Sequence, residues 1–377
     1  MKTSVGAGWA LRQVRELVAL GIDVHVVLPD GGQMIGRYKS VGATEHHIQT
    51  DFPIKTPWNF PALAHRFCRL VNEIKPDIIH SHFVGTTLFM RLALGRNHPI
   101  PRIFQVPGPL HLEHPFFLIA EIATAGPADY WIGSCQWTCD RYLKSGIDKR
   151  RIYLSYYGTD IEIFHAYPSG NLRKELCVNE KTKVIGMVAY MYSPKKYLGQ
   201  QRGLKGHEDL IDAVAICKRK IPNLLCVIVG GPWGKKKEYE KIIHEYAVEK
   251  CGDSIVFLGA RNDVPDLYPD FDVTVHPSHS ENVGGAVESL MNAVPTIATN
   301  VGGFPDLICP GKTGWLVPPK NPETLAEAIL EALFDPVKAR SLAIQGQSLA
   351  KKLFDVRRTA SEVADIYEEI CSCGMSS

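Results

Sequence analysis

The chain has 377 residues, 45% of them hydrophobic and 22% charged, which is an ordinary composition for a globular protein. This length exceeds what one ordinary core accommodates, so two domains are expected. The formal net charge of +2 gives no overall reason to expect a nucleic-acid partner. No apolar run approaches the roughly 18 residues of a spanning helix, and no signal peptide opens the chain, so a cytoplasmic protein is expected.

Strand-like and helix-like segments alternate along the whole chain, which predicts an α/β protein with parallel sheets covered by helices. In the first half we predict helices at 9–20, 61–74 and after Gly85, and strands at 23–28, 77–80, 102–106, 130–133 and 152–155. In the second half we predict strands at 184–188, 224–229, 254–258, 273–276 and 295–299, and helices at 206–219, 236–250, 286–293 and 359–371. The predicted domains are 1–167 with the C-terminal helix 355–377, and 168–354.

A glycine loop at Gly6 and Gly8 precedes the first predicted helix, but only a few residues come before it. Doubly wound domains usually begin with a strand that leads into such a loop. A short first strand is one explanation, and a chain that lacks part of its N-terminus is the other. We favour the second, in which the first sheet would lack a central strand.

Two adjacent glycines, Gly284 and Gly285, open a predicted helix after the strand 273–276. The first backbone N–H groups of such a helix can face an anion, and the helix dipole also favours negative charge there. One carboxylate, Glu281, precedes the glycines, and Glu288 lies on the helix behind them. This arrangement suits a diphosphate joined to hydroxyl-rich rings on both sides, and therefore indicates a nucleotide sugar.

Motifs in a fixed order along nearly the whole chain resemble the retaining glycosyltransferases of family 4, which have the two-domain GT-B fold. They comprise 6–8, 76–82, 157–160, 203–206, 229–232, 257–259, 280–288, 295–306 and 311–314. The resemblance implies two Rossmann-like, doubly wound domains facing across a cleft. It further implies that the second domain binds the donor and the first domain the acceptor.

The resemblance assigns the donor contacts to the second domain. Glu288, in register with Pro295, would accept hydrogen bonds from the ribose diol, and Glu281 would hold the donor sugar's hydroxyls. Six residues separate these two glutamates here, against seven in the family pattern, so the loop before the helix is one residue shorter. The remaining implied donor contacts are with Gly259, Arg261 and Asn262 near the base, with Gly284 and Gly285 at the diphosphate, and with Asn282 and Val283 elsewhere on the donor.

Family members often carry an arginine after the first strand of the second domain and a Lys-Gly pair soon afterwards. Lys205 and Gly206 match the pair, whereas Tyr190 stands near the expected arginine. We predict that Arg202 and Lys205 together contact the diphosphate, because charge that develops on a leaving group must be stabilised there. An exposed loop arginine is the alternative for Arg202.

The resemblance implies a histidine near the donor sugar, after the strand 102–106. His111 is our candidate and His80 and His82 are its rivals, since sites in open parallel sheets lie at the carboxyl ends of strands. A hydrogen-bonded structural histidine is the alternative for each. Gly6, Gly8 and His82 form the candidate acceptor or phosphate loop. Asp270 and Asp272 are interpreted as structural, and neither metal nor cofactor is expected.

The function implied is transfer of a hexose from a nucleotide diphosphate sugar, UDP-glucose favoured, to a glycan or lipid-linked acceptor in polysaccharide or cell-envelope biosynthesis. A lipid-linked acceptor would bring the protein to the inner face of the cytoplasmic membrane. The alternatives are a nucleotide-sugar epimerase of similar architecture and a nucleotide-sugar-binding protein that has lost catalysis. Turnover of donor without acceptor would distinguish the first, and nucleotide binding without turnover the second.

Overall fold

The computed structural model describes residues 8–53, 55–167, 170–196, 199–234 and 237–374. It divides into two compact units: residues 1–160 with 353–377, and residues 161–352. The boundary between the two units therefore lies between residues 160 and 161, whereas the sequence predicts it between residues 167 and 168. Gly6 and the segment around it lie outside the described residues.

The described strands of the first unit are all parallel and form two separate sheets. One contains β1 (His25–Leu28) and β2 (Thr44–His47), and the other has the order β3 (Ile79–Ser81), β4 (Arg102–Val106), β5 (Asp129–Gly133) and β6 (Ile152–Leu154). The helices are α1 (Gly8–Ala19), α2 (Arg37–Ser40), α3 (Phe60–Ile74), α4 (Val84–Leu94), α5 (Leu110–Glu113), α6 (Pro115–Ala123), α7 (Gln136–Lys144) and α16 (Val356–Gly374).

The last helix, α16, belongs to the first unit and packs against α1. Its apolar face, including Val363, Ile366 and Ile370, shares one buried cluster with Ile103 and Ile132 of the central strands. Gly158 lies so close to the start of α16 that a Cβ there would be 2.4 Å from the Val356 Cα. The helices α1 and α16 therefore contribute to one core.

The second unit contains one six-stranded parallel sheet of order β12-β11-β10-β7-β8-β9. Its strands are β7 (Lys183–Val188), β8 (Leu224–Val229), β9 (Ile255–Gly259), β10 (Val273–His276), β11 (Thr296–Thr299) and β12 (Trp315–Val317). Its helices are α8 (Asn171–Glu175), α9 (His207–Lys218), α10 (Glu238–Cys251), α11 (Val264–Leu267), α12 (Gly284–Met291), α13 (Phe304–Leu307) and α14 (Pro322–Phe334), with α15 (Pro336–Phe354) running on to α16.

The burial of β8 and the order of the strands show where this sheet can bind a ligand. All six of its residues, Leu224–Val229, are buried, as expected for a strand covered by helices on both faces. The strand order reverses between β7 and β10, because β8 and β9 lie on one side and β11 and β12 on the other. Open parallel sheets bind ligands at the carboxyl ends of their strands beside such a reversal.

Candidate active site

A cavity of about 310 Å³ lies at this point of the second unit, at the carboxyl ends of β7, β8 and β10. Five of the predicted donor residues line it: Lys205, Arg261, Glu281, Gly285 and Glu288. Gly259, Asn262, Asn282 and Gly284 are chain neighbours of lining residues, and Val283 lies two residues from both Glu281 and Gly285. Tyr190, which stands where relatives often carry an arginine, also lines the cavity.

The helix α12 begins beside the cavity at Gly284, which has a φ of +38° that side-chain-bearing residues rarely adopt. The next residue, Gly285, lines the cavity, and a Cβ there would be 3.0 Å from the Tyr268 hydroxyl and 3.1 Å from His276 Cε1. Side chains at either position would strain or fill the start of the helix. The two glycines thus place no side chain of their own over the first N–H groups of α12, where the sequence analysis expects an anion.

Glu288 lies one helical turn further along α12 and is held by Tyr268. The hydroxyl of Tyr268 lies 3.2 Å from the Gly285 carbonyl oxygen and 3.4 Å from Glu288 Oε2. Burial and the neighbouring carboxylate raise the pKa of Tyr268 well above its usual value, so its hydroxyl stays protonated and donates. Glu288 therefore enters the cavity with a defined orientation.

Glu281 and Lys205 meet inside the cavity and form an ion pair. Both are largely shielded, with side-chain exposures of 13% and 17%. The Glu281 carboxylate also accepts hydrogen bonds from the Asn282 N–H at 3.0 Å and from Ser278 Oγ at 3.4 Å. Lys205 Nζ lies 5.7 Å from the ring centroid of Tyr192, within the range of a cation–π contact.

The predicted role of Arg202 does not fit its position. Its guanidinium pairs with Asp209 Oδ1 and, at 2.8 Å, with Asp212 Oδ2, and Arg202 is not among the residues that line the cavity. The two aspartates lie one turn apart on α9 and raise the pKa of Arg202. Asp209 in turn pairs with His279, so Arg202 serves to fasten α9 to the loop before Glu281.

Arg261 lines the other end of the cavity, beyond the end of β9. It is anchored by Asp263 at 2.7 Å and by Glu175 at 2.8 Å, and these hydrogen bonds raise its pKa. Gly259 ends β9 with a φ of +64°, and its carbonyl oxygen accepts a hydrogen bond from the Gly230 N–H. These two loops form the wall near which the base was predicted.

The predicted histidines, His111 and His82, belong to the first unit. His111 lies on α5 with Nε2 3.4 Å from the Tyr142 hydroxyl, and burial lowers its pKa to about 4. His82 follows β3 with Nδ1 3.0 Å from the Tyr157 hydroxyl, and burial is the main cause of its strongly lowered pKa. Both imidazoles are therefore neutral near pH 7. Gly8 begins α1.

Sequence analysis missed Tyr268, Ser278 and His276, the last of which ends β10 and is buried with Nε2 3.2 Å from Ser289 Oγ. A histidine at the carboxyl end of a buried strand was a usable signal. Tyr268 carried none, because it precedes the strand and reaches the site only through folding. Asp270 and Asp272 connect to the segment around α8. Asp270 accepts hydrogen bonds from the N–H groups of Gly170 and Leu172, and Asp272 forms an ion pair with Arg173.

Two family profiles match separate parts of the chain. Residues 9–163 match the family described as Glycosyltransferase Family 4, and residues 196–348 match Glycosyl transferases group 1. The chain is a family 4-like protein of the GT-B glycosyltransferase fold. This agrees with the resemblance seen in its motifs.

The relatives include two bacterial proteins named D-inositol 3-phosphate glycosyltransferase. The protein of Corynebacterium urealyticum is 29% identical over 240 residues, which is 60% of this chain and 54% of the relative. The protein of Thermobispora bispora is 27% identical and aligns over 94% of this chain and 87% of its own length. The chain thus spans about half the length of the first relatives that it matches.

Among solved structures, Anabaena HepE in complex with UDP matches with a TM-score of 0.79 at 22% identity, over 95% of this chain and 96% of HepE. At this identity the likeness shows the fold alone, two α/β units with parallel sheets. None of the described helices is both long and apolar enough to cross a membrane. In the described part of the chain, no group of three or more His, Cys, Asp or Glu side chains is placed to hold a metal ion.

Proposed function

We propose that this protein is a retaining hexosyltransferase that takes its sugar from a nucleoside diphosphate sugar, with UDP-glucose the favoured donor. The acceptor would be a glycan or a lipid-linked glycan. The observation that carries the proposal is the cavity of the second unit, which combines a glycine-lined helix start at Gly285, a cation at Lys205 and an oriented carboxylate at Glu288. The helix start and Lys205 suit the diphosphate of a nucleotide sugar, and Glu288 suits its ribose diol.

Each part of the donor has a counterpart in the cavity. The diphosphate is placed at the first turn of α12 with Lys205, where N–H groups and an ammonium stabilise negative charge on the leaving group. The ribose diol donates to Glu288, and the base lies toward Gly259, Arg261 and Asn262. The hexose hydroxyls are placed near Glu281, within reach of its carboxylate.

The choice of UDP-glucose and of acceptor draws on similar proteins. HepE is a fold neighbour whose structures hold UDP and UDP-glucose, and a further relative is named a lipopolysaccharide core biosynthesis mannosyltransferase. Charge neutralisation by Lys205 and the α12 start would let the reaction proceed without a metal ion. His111 is proposed to contribute on the acceptor side as a neutral imidazole, consistent with its lowered pKa.

Donor binding and turnover by the purified chain test this proposal. Calorimetry with UDP-glucose, with GDP-mannose as the competing donor, should show binding that Glu288→Ala weakens about 10- to 100-fold, since hydrogen bonds to a charged group contribute ~1.5–3 kcal/mol. Glu249→Ala, an exposed carboxylate on α10, is the matched control and should bind normally. Full binding by Glu288→Ala would refute the assignment of this cavity.

Turnover separates transfer from its rivals. Release of UDP that depends on an added glycan or lipid extract supports transfer, and retention is read from the anomeric configuration of the product by NMR. Conversion of the donor sugar without any acceptor would instead show an epimerase. Binding without turnover on any acceptor would show a nucleotide-sugar-binding protein.

A further inference from the structure

The Glu281 carboxylate lies where a bound anion would lie at the start of α12. Its Cδ and Oε2 are each 3.0 Å from the point where a Cβ of Gly284 would stand, so it covers the first turn of the helix. It accepts the Asn282 N–H and the Ser278 hydroxyl and pairs with Lys205. A backbone N–H, a hydroxyl and an ammonium are the donor groups that a phosphate would use.

Lys205 is the cation that this carboxylate neutralises. Among the described residues that line the cavity, the only other Lys or Arg is Arg261, which already pairs with Asp263 and Glu175. Two histidines near Lys205 add no positive charge at neutral pH. Burial lowers the pKa of His207 to about 4 and that of His276 to about 3, with Lys205 a secondary cause in both.

We propose that Glu281 is an internal competitor for the diphosphate site, which an intact nucleotide sugar displaces more readily than the released nucleoside diphosphate does. The inference rests on the proposed function and concerns selectivity at the same cavity. When the donor binds, Lys205 exchanges the carboxylate for the diphosphate. Glu281 then turns to the hydroxyls of the hexose, which satisfy it.

The product nucleotide offers no such exchange. UDP has the diphosphate that competes for Lys205, but it has no hexose whose hydroxyls could donate hydrogen bonds to the displaced carboxylate. A shielded carboxylate without a partner is costly, because the protein interior solvates charge poorly. Glu281 therefore weakens the binding of UDP more than the binding of UDP-glucose. This difference favours release of the product and entry of fresh donor.

The test compares UDP and UDP-glucose by calorimetry on the full chain and on Glu281→Gln, which keeps the shape of the side chain and removes its charge. We expect the variant to bind UDP about 10-fold more tightly, because Lys205 is released for the phosphates. Its affinity for UDP-glucose should change less, so the ratio of the two dissociation constants falls. The gain for UDP should also shrink as salt is raised.

Two further variants show whether the effect runs through Lys205. Asp266→Asn removes one exposed charge from the same unit outside the cavity lining and should leave both affinities unchanged. In a Lys205→Met background, adding Glu281→Gln should no longer tighten UDP binding, which makes the pair non-additive. Circular dichroism and thermal melting confirm that each variant is folded.

The outcomes separate this inference from the function on which it rests. If the unaltered chain binds neither UDP nor UDP-glucose, the proposed function falls and the competitor role falls with it. If the chain binds both but Glu281→Gln binds UDP equally or more weakly, only the competitor role is overturned. The same conclusion holds if the gain for UDP persists undiminished without Lys205.

Discussion

The contact between Tyr268 and the start of α12 leads to a sharp prediction. Tyr268→Phe keeps the buried ring but removes a hydroxyl that donates toward the Gly285 carbonyl and Glu288. A buried hydrogen bond contributes about 1 kcal/mol net, and a partner left unsatisfied raises the cost to about 1–3 kcal/mol. We therefore expect the free energy of unfolding to fall by about 1–2 kcal/mol.

The same change should weaken donor binding, because Glu288 loses the contact that orients it toward the ribose. A loss of about 1 kcal/mol in the bound complex corresponds to a roughly 5-fold higher Kd for UDP-glucose. Urea unfolding gives the first quantity and calorimetry the second. Tyr246→Phe is the matched control, since its hydroxyl bonds to Asp212 outside the cavity lining.

The control should lose stability without loss of donor affinity. If Tyr268→Phe binds UDP-glucose as tightly as the unaltered chain while its stability falls, the hydroxyl supports only the fold and the positioning argument is refuted. If its stability does not change either, the hydrogen bonds to α12 are not formed in solution.

Three further outcomes follow from buried groups. Gly186→Ala in β7 would bring a Cβ to 2.3 Å from the Phe271 ring, so urea unfolding should show a loss of about 1–3 kcal/mol. Arg91→Met removes the ion-pair partner that the fully buried Glu121 and Asp129 share and leaves Asp129 paired with Arg102. It should cost about 3–5 kcal/mol by the same measurement, whereas an unchanged urea midpoint would contradict the pairing. His276, whose folded pKa of about 3 lies below its unfolded value near 6.5, contributes stability that is present above pH 6.5 and lost as pH falls toward 3. The share of the loss due to His276 should be about 1.4 kcal/mol per pH unit between these two pKa values. A folded His276→Gln variant should lack that share and keep the losses due to other buried histidines, such as His111 and His207.

Local sequence patterns were sufficient to predict most strands of the six-stranded sheet in the second unit. The strands 224–229 and 273–276 have the observed bounds, because continuous apolar runs between turn residues specify buried parallel strands. The short strands β2 and β12 were not predicted. The sequence of β2, Thr-Glu-His-His, is polar and has no strand pattern, and Trp315–Val317 is only three residues long.

The candidate site shows a similar division between local and tertiary information. Gly285 and Glu288 belong to one short segment, so their spacing in the sequence placed them at one helix start. Arg202 was assigned to the phosphates because Tyr190 stands near the position where relatives carry an arginine, but in the structure Arg202 pairs with the aspartates of α9. Two aspartates three residues apart on a helix form a strong local partner for an arginine, and this pattern was visible in the sequence.

The core that α1 and α16 share has a consequence for synthesis on the ribosome. The second unit, residues 161–352, is continuous, so all its strands have emerged before the last helix is made. The core of the first unit cannot be completed until α16 is made, because its Val363 and Ile370 pack against the central strands. The apolar surface of the first unit stays uncovered until α16 has been made. We therefore expect nascent chains to need protection by chaperones on the first unit for longer than on the second.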